Sequence, residues 1–288
     1  MIVPNMIECV PNFSEGRDRA KVEEIVQAIA SASGVRVLGW EADADHHRSV
    51  VTFAGEAEAV LEGAVRGVGK AAQLIDLNAH HGVHPRVGAA DVVPFVPLEG
   101  SSLDDCAITA HRAGAAIWKR FGVPVYFYGA AALRTGRERL EKVRRAGFDG
   151  LPPDEGEIPQ HVTAGAAVVG ARKFLIAFNV RLKTTDVAVA KAIASRIRES
   201  SGGFRHVKAL GLYLESHQCA QVSMNLIDFT QTDLNAVYSA IATAAEPDAS
   251  ELIGFVPKAA YENFPEFFAR AEGWSASRIV EVAMERQS

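Results

Sequence analysis

Residues 35–55 read VRVLGWEADADHHRSVVTFAG. Two runs rich in β-branched, aromatic and other apolar residues, 35–42 and 49–55, flank the polar DADHHR, which predicts two strands joined by a short connection. The next stretch, AEAVLEGAVRGVGKAAQLI (57–75), carries apolar residues at helical spacing and predicts an amphipathic helix. Upstream, MIECVP (6–11) predicts a strand ended by Pro11, and a helix follows the turn residues Asn12, Ser14 and Gly16 from about 17 to 33. Val22, Ile25, Val26 and Ile29 give that helix one apolar face, and Gly34 suits its C-cap. Downstream, DVVPFVPL (91–98) predicts a further strand, so the order is β-α-β-β-α-β.

The same order returns later in the chain. LDDCAITAHRAGAAIWKRFG (103–122) predicts a helix, VPVYFYG (123–129) a strand, and 137–145 a shorter helix. GFDGLPPDEGEIPQHVTAG (147–165) is dense in Gly, Pro and acids and reads as a loop or linker. GARKFLIAFNVRLK (170–183) predicts a strand, 186–200 a helix, 207–216 and 220–229 two strands, 232–246 a helix and 250–257 a last strand. The expected fold is α/β (α+β): two ferredoxin-like βαββαβ sandwich subdomains, 1–168 and 169–288, with a ligand site between them.

Bulk properties narrow the function. The chain of 288 residues is 48% hydrophobic and 23% charged, enough to bury a substantial core. A net charge of −5 leaves no reservoir of positive charge for a phosphate backbone, so a small molecule is expected as ligand and nucleic acid is not. Cys9, Cys106 and Cys219 stand far apart without a CxxC pair, which argues against a thiolate zinc site or a disulfide framework and for a reducing compartment. The start MIVPNMIECVPNFSEGR lacks a basic region followed by an apolar core, and no apolar run approaches the roughly 20 residues that span a bilayer. A cytoplasmic location without membrane contact is expected.

Three polar clusters carry possible chemistry. In HHGVHPRVGAAD (80–91), His80 and His84 have the spacing of a helical zinc pair, but Gly82 lies between them and Pro85 follows, so the helix is not expected. The imidazoles can then ligate a metal with a carboxylate such as Asp45, move protons, or sit in a solvated loop. His84 is held extended by Pro85, and Arg86 offers a cation for a carboxylate, or for Asp91. In DADHHRSV (43–50), Asp43, Asp45, His46, His47 and Arg48 crowd one loop that can orient an imidazole, pair with an amidinium, or serve only as a polar connection. In HVTAGAAVVGARKF (161–174), small residues let backbone N–H groups approach a planar ligand or an anion. There is no Walker loop, no dinucleotide fingerprint and no GxSxG elbow, so ATP, NAD and covalent catalysis have no support.

Taken as a set, ECVPNFSEGR (8–17), HHRSVVTFAG (46–55), LIDLNAHHGVHPRVGAADVVPFVPL (74–98), GVPVYFYGAAA (122–132), GARKFLIAFNVRL (170–182) and AQVSMNLIDF (220–229) resemble the glutamate formiminotransferase family, over nearly the whole chain and in order. The resemblance implies two α/β subdomains with a substrate tunnel between them and transfer of a formimino group from N-formimino-L-glutamate to N5 of tetrahydrofolate. It implies that His84, in the segment matching the family's HxGEHPR, is the general acid/base. N5 attacks the amidine carbon, and one imidazole near neutral pH can take the proton from the attacking nitrogen and return it to the departing one. Asp43 and Asp45 are the candidates to keep the amidinium protonated, and Arg48 and Arg86, with His46 and His47, to bind the donor. Tetrahydrofolate is expected along Gln160, His161, Thr163, Gly165, Arg172 and Lys173, with no metal. A homodimer is expected, with AQVSMNLIDF as a seam.

Two residues depart from the family pattern. Val83 stands where the family has Glu, and His47 where it often has Asn. The Val83 substitution keeps two other readings open: a relative using another formimino or formyl donor, and a non-catalytic folate-binding module. A metal-dependent hydrolase built on His80, His81, His84 and Asp45 is the third alternative.

Overall fold

The structure is a computed structural model that describes residues 5–80, 86–146 and 152–286. It divides into two compact units between Arg172 and Lys173.

The first unit begins with a strand broken by Val10-Pro11 into β1 (Met6–Cys9) and β2 (Asn12–Phe13). Both halves lie between β4 (Arg48–Glu56) and β5 (Ala90–Pro97), and β3 (Arg36–Asp43) pairs with the far side of β4. These strands, with α1 (Arg19–Ala30) and α2 (Ala57–Leu74), are the antiparallel βαββαβ sandwich expected from residues 35–75. Local chemistry explains the helix boundaries. Asp18 caps α1 by accepting from the N–H groups of Ala20 and Lys21, and Val22, Ile25 and Ile29 form its buried stripe. α3 (Leu103–Phe121) opens on a reciprocal Ser102–Asp105 capping box and closes at Gly122, whose φ of 64° is left-handed.

The sheet is larger than the expected sandwich. It has seven strands, because β6 (Val125–Gly129) and β7 (Ala167–Ala171) extend it beyond β5. β7 runs parallel between β5 and β6. The expected strand 170–183 is therefore two: β7 ends at Ala171, and β8 (Ile176–Leu182) opens the second unit. A cut after residue 168 would pass through β7. The stretch 147–165 does not behave as a linker either. Its described part turns back on β6, with the Val125 carbonyl accepting from Asp154 and the Pro159 carbonyl accepting from the Tyr126 hydroxyl at 3.0 Å.

Apolar side chains on one face of this sheet, including Ile7, Phe53, Val93, Phe95 and Phe127, are buried with α1, α2 and α3. On the other face Val92, Tyr126, Tyr128 and Val168 pack with Val143 of α4 (Leu140–Ala146). The alternation along β6, with Tyr126 and Tyr128 to one side and Phe127 to the other, is the two-residue period of a strand covered on both faces.

The second unit has the order β8, α5 (Val187–Ile197), β9 (Val207–Leu214), β10 (Cys219–Leu226), α6 (Leu234–Ala244), β11 (Pro247–Ile253). Its antiparallel sheet runs β11-β8-β10-β9, which is the ferredoxin-like arrangement. Ile176, Phe178, Val180 and Leu182 alternate inward along β8 and are completely buried. The sequence reading did not anticipate the end of the chain, where short helices α7 (Lys258–Asn263), α8 (Pro265–Phe268) and α9 (Val280–Glu285) follow. Among them, Phe267 and Phe268 complete the core of this unit.

Candidate active site

Within the first unit, the turn after β2 lies against the connection between β3 and β4. Gly16 makes this possible: a Cβ there would stand 2.2 Å from the Asp43 carbonyl oxygen and 2.4 Å from the Arg48 nitrogen. Because the two backbones touch, Glu15 reaches His47. The Glu15 carboxylate, 6% exposed, accepts from the N–H groups of Gly16, Arg17 and Asp18 at 3.0, 3.0 and 3.1 Å. His47 Nε2 stands 3.1 Å from the same oxygen. Desolvation opposes the charge of Glu15, but the N–H groups of Asp18 and Arg17 and the His47 imidazole outweigh it and hold the pKa below the usual carboxylate value.

His47, at φ 49°, stacks on His80 with ring centroids 3.9 Å apart and planes 20° from parallel. The Arg86 guanidinium lies against the ring nitrogens of His80. Burial, then Arg86, then His47 drive the His80 pKa down to about 4, so its ring is neutral near pH 7. At the same loop Asp43 is engaged by His46, which donates its backbone N–H at 2.8 Å and places Nδ1 at 2.7 Å. Burial raises the Asp43 pKa, yet these His46 contacts turn the net shift downward. Asp45 lies half-buried in the same connection.

Arg48 and Arg86 both lie within electrostatic reach of Asp91. Desolvation lowers the pKa of both guanidiniums, that of Arg48 to about 10, while Asp91 is the opposing charge. Asp91 is 2% exposed, accepts from the Val87 N–H at 2.8 Å and pairs with Arg144 of α4. The sequence reading did not include Glu15 or Arg144. Glu15 lay in the quoted stretch ECVPNFSEGR just before three N–H groups at a helix start, a recognisable anion nest. Nothing in the sequence around Arg144 marks it.

His80, Arg86 and Val87 line a cavity of about 730 Å³, a size that suits a small-molecule site. Gln160, His161, Val162, Thr163 and Gly165 belong to the same wall, with Gly165 packed against Val87, so four of the six residues expected to hold the co-substrate border this cavity. That wall is built locally. His161 and Gly165 exchange backbone hydrogen bonds of 2.7 and 3.2 Å, and Gly165 has φ 65° with the Val87 carbonyl 2.3 Å from where its Cβ would be. The Thr163 and Ala164 N–H groups donate to His161 Nδ1 at 3.3 and 3.1 Å, which leaves the ring proton on Nε2.

The other two residues of that set lie elsewhere. Arg172 hydrogen-bonds the buried Tyr128 phenol. Lys173 belongs to the second unit and donates to Asp228 at 3.1 Å. His84, His81 and Val83 lie outside the described residues. Among the described residues no group of three or more His, Cys, Asp or Glu side chains is placed to hold a metal ion.

Comparison with known proteins places this geometry in context. The N-terminal subdomain of the formiminotransferase domain matches residues 6–172, and the second model, described as the formiminotransferase domain, matches residues 177–286. The chain is 39% identical to the glutamate formimidoyltransferase of Thermoplasma acidophilum, over 98% of each protein. It is 38% identical to the protein of that name from Streptococcus pyogenes serotype M1, over 93% of this chain and 94% of the relative. It is also 41% identical to the formimidoyltransferase-cyclodeaminase of Gallus gallus, over 93% of this chain but 53% of that protein. The chain belongs to the formiminotransferase family.

Proposed function

We propose that this chain transfers the formimino group of N-formimino-L-glutamate to N5 of tetrahydrofolate, releasing glutamate. The observation that carries the reading is Arg86 on the cavity wall, within electrostatic reach of Asp91, in a chain similar along its whole length to proteins named glutamate formimidoyltransferase. A dicarboxylate donor requires cations at a desolvated site, and guanidiniums supply them in a geometry that matches a carboxylate.

Tetrahydrofolate supplies the attacking amine nitrogen. Gln160, His161 and Thr163 offer amide, imidazole and hydroxyl groups to the edge of a pterin, and Val162, 84% exposed, offers an apolar contact. His84 serves as the acid/base, taking a proton from the attacking nitrogen and delivering one to the leaving nitrogen. Asp43 and Asp45 keep the amidinium charged, with Arg48, Arg86, His46 and His47 around the donor. For Asp43 this means exchanging part of its His46 contact for the substrate. Two bound reactants aligned in this way need no covalent intermediate.

The protein is proposed to act as a cytoplasmic homodimer without metal, nucleic acid or membrane partner. The separated free thiols Cys9, Cys106 and Cys219 suit a reducing compartment, and the net charge of −5 suits a small-molecule ligand better than a phosphate backbone.

The test is an absorbance assay for 5-formiminotetrahydrofolate with wild type and His84→Ala. Turnover that needs both substrates and is lost in His84→Ala is the expected result. A wild type that binds tetrahydrofolate without consuming formiminoglutamate overturns the reaction, and a fully active His84→Ala overturns the role of His84.

A further inference from the structure

The turn 161–165 on the cavity wall uses its backbone acceptors within the protein. The Val162 carbonyl accepts from the Asn78 side-chain amide at 3.0 Å, that of Thr163 from the Leu77 N–H at 2.9 Å, and that of Ala164 from the Ala89 N–H at 2.9 Å. The carbonyls of His161 and Gly165 accept from each other's N–H groups. What this wall offers a ligand to bind therefore lies mainly in its side chains.

Three of its polar side chains border the cavity, those of Gln160, His161 and Thr163. An amide carries both a donor and an acceptor, and a hydroxyl turns to serve as either, so Gln160 and Thr163 adapt to the group they meet. His161 does not adapt. Its Nδ1 receives the Thr163 and Ala164 N–H groups at 3.3 and 3.1 Å, with the Thr163 hydroxyl at 3.4 Å, which makes Nδ1 an acceptor. A neutral imidazole with an accepting Nδ1 carries its hydrogen on Nε2, and an imidazolium carries one there as well. Nε2 is thus a donor in both protonation states. It lies on the side of the ring turned away from those N–H groups, and among the described residues it has no hydrogen-bond partner.

We propose that His161 is a specificity-determining residue for the co-substrate: its Nε2–H donates to the carbonyl oxygen at C4 of the pterin, so the site takes a 4-oxo ring and rejects its 4-amino counterpart. The inference rests on the formiminotransferase reading for the identity of the co-substrate. The C4 oxygen is the exocyclic acceptor of that ring, whereas its other exocyclic group, the 2-amino group, is a donor. An amino group at C4 sets one donor against another and leaves both unpaired in the cavity. A fixed donor also cannot take a proton from the attacking nitrogen, so His161 is kept apart from the acid/base step.

The test uses the full chain as wild type, His161→Asn and His161→Gln, with thermal unfolding to show that each is folded. Asparagine keeps an oxygen near the place of Nδ1 for the Thr163 and Ala164 N–H groups but removes the Nε2 donor. Glutamine puts an amide near Nε2 that can turn to donate or accept. Calorimetric titration with tetrahydrofolate and with its 4-amino-4-deoxy analogue reads the contact directly. Wild type should bind tetrahydrofolate about 5- to 150-fold more tightly than the analogue, the factor expected for an unpaired donor. His161→Asn should bind tetrahydrofolate about 2- to 12-fold more weakly than wild type, and the preference should shrink to within about threefold in both variants. In turnover, the KM for tetrahydrofolate rises by the same factor in His161→Asn, while kcat and the KM for formiminoglutamate stay within about twofold and the pH profile of kcat keeps its shape.

Wild type that binds the two compounds equally, or binds neither, overturns the proposal. So does His161→Asn with the wild-type preference, or with a limb missing from its kcat pH profile. If His161→Asn does not fold, His161→Gln decides alone, and an unchanged preference there overturns the assignment. Formimino transfer without a 4-oxo preference sinks this assignment only, whereas a preference that depends on His161 in a protein without transfer supports it while the transferase reading fails.

Discussion

Replacing Asp154 with alanine removes the acceptor that fastens the cavity wall to the sheet. Its side chain is 1% exposed and that of Arg137 5%, with 2.5 Å between them. Asp154 also accepts from the Phe127 N–H at 2.8 Å and forms an ion pair with Arg134, whose Nε stands 3.2 Å away. Breaking a buried pair by removing one partner costs about 3–5 kcal/mol, since the remaining charge stays buried without compensation. Arg137 keeps a bond to the Pro152 carbonyl at 2.8 Å and its place over the Tyr126 ring at 5.2 Å, which favours the lower end. At roughly 2–4 °C per kcal/mol for a unit of this size, the first unit should melt about 6–20 °C lower. Urea unfolding followed by tryptophan fluorescence measures the loss, and Asp154→Ala/Arg137→Met should recover a good part of it by removing the stranded cation. The segment from 152 onward carries Gln160–Gly165, so tetrahydrofolate affinity should fall with stability. A loss below about 1 kcal/mol, or a double variant no more stable than Asp154→Ala, refutes the assignment of this pair as a buried anchor.

Two other groups give pH predictions. His80 should titrate near 4 rather than the ordinary 6.5 in an imidazole 15N experiment, because burial first and then Arg86 and His47 disfavour its cation. Arg86→Met should raise that midpoint without restoring 6.5, and a wild-type midpoint at 6.5 would contradict the packing of Arg86 on the ring. In the second unit the Thr230 hydroxyl foremost, then Lys173, the Thr230 N–H and Gln231, outweigh desolvation and hold Asp228 at about 2. Its folded pKa lies below the unfolded value, so its stabilisation is fully present above about pH 4 and is lost as pH falls through 2. The destabilisation by Asp228→Asn should therefore be largest near neutral pH and fade below pH 4 in urea melts; a penalty independent of pH would show that the carboxylate charge is not what matters.

Much of the fold was legible because it is local. The stripe of Val22, Ile25 and Ile29 and the Gly122 that ends α3 each state an element within a few residues. The candidate site was legible in its loops, since His80, Arg86, Gln160, His161, Thr163 and Gly165 all border one cavity. The parallel insertion of β7 was not, because its partners Val125–Gly129 and Val92–Phe95 are distant in sequence and a short apolar run does not name its neighbours. Arg172 and Lys173 show the same limit: adjacent in the chain, they serve different units, one at Tyr128 and the other at Asp228.

From the sequence alone come the two βαββαβ patterns, the resemblance to formiminotransferases and the histidine- and arginine-bearing loops, all properties of neighbouring residues or of their order. Only the tertiary structure brings Glu15 to His47 through the bare backbone of Gly16 and sets Arg144 against Asp91. Burial is the reason. A charge acquires its meaning from the desolvation and the partners around it, and those are contributed by segments that only the folded chain places together.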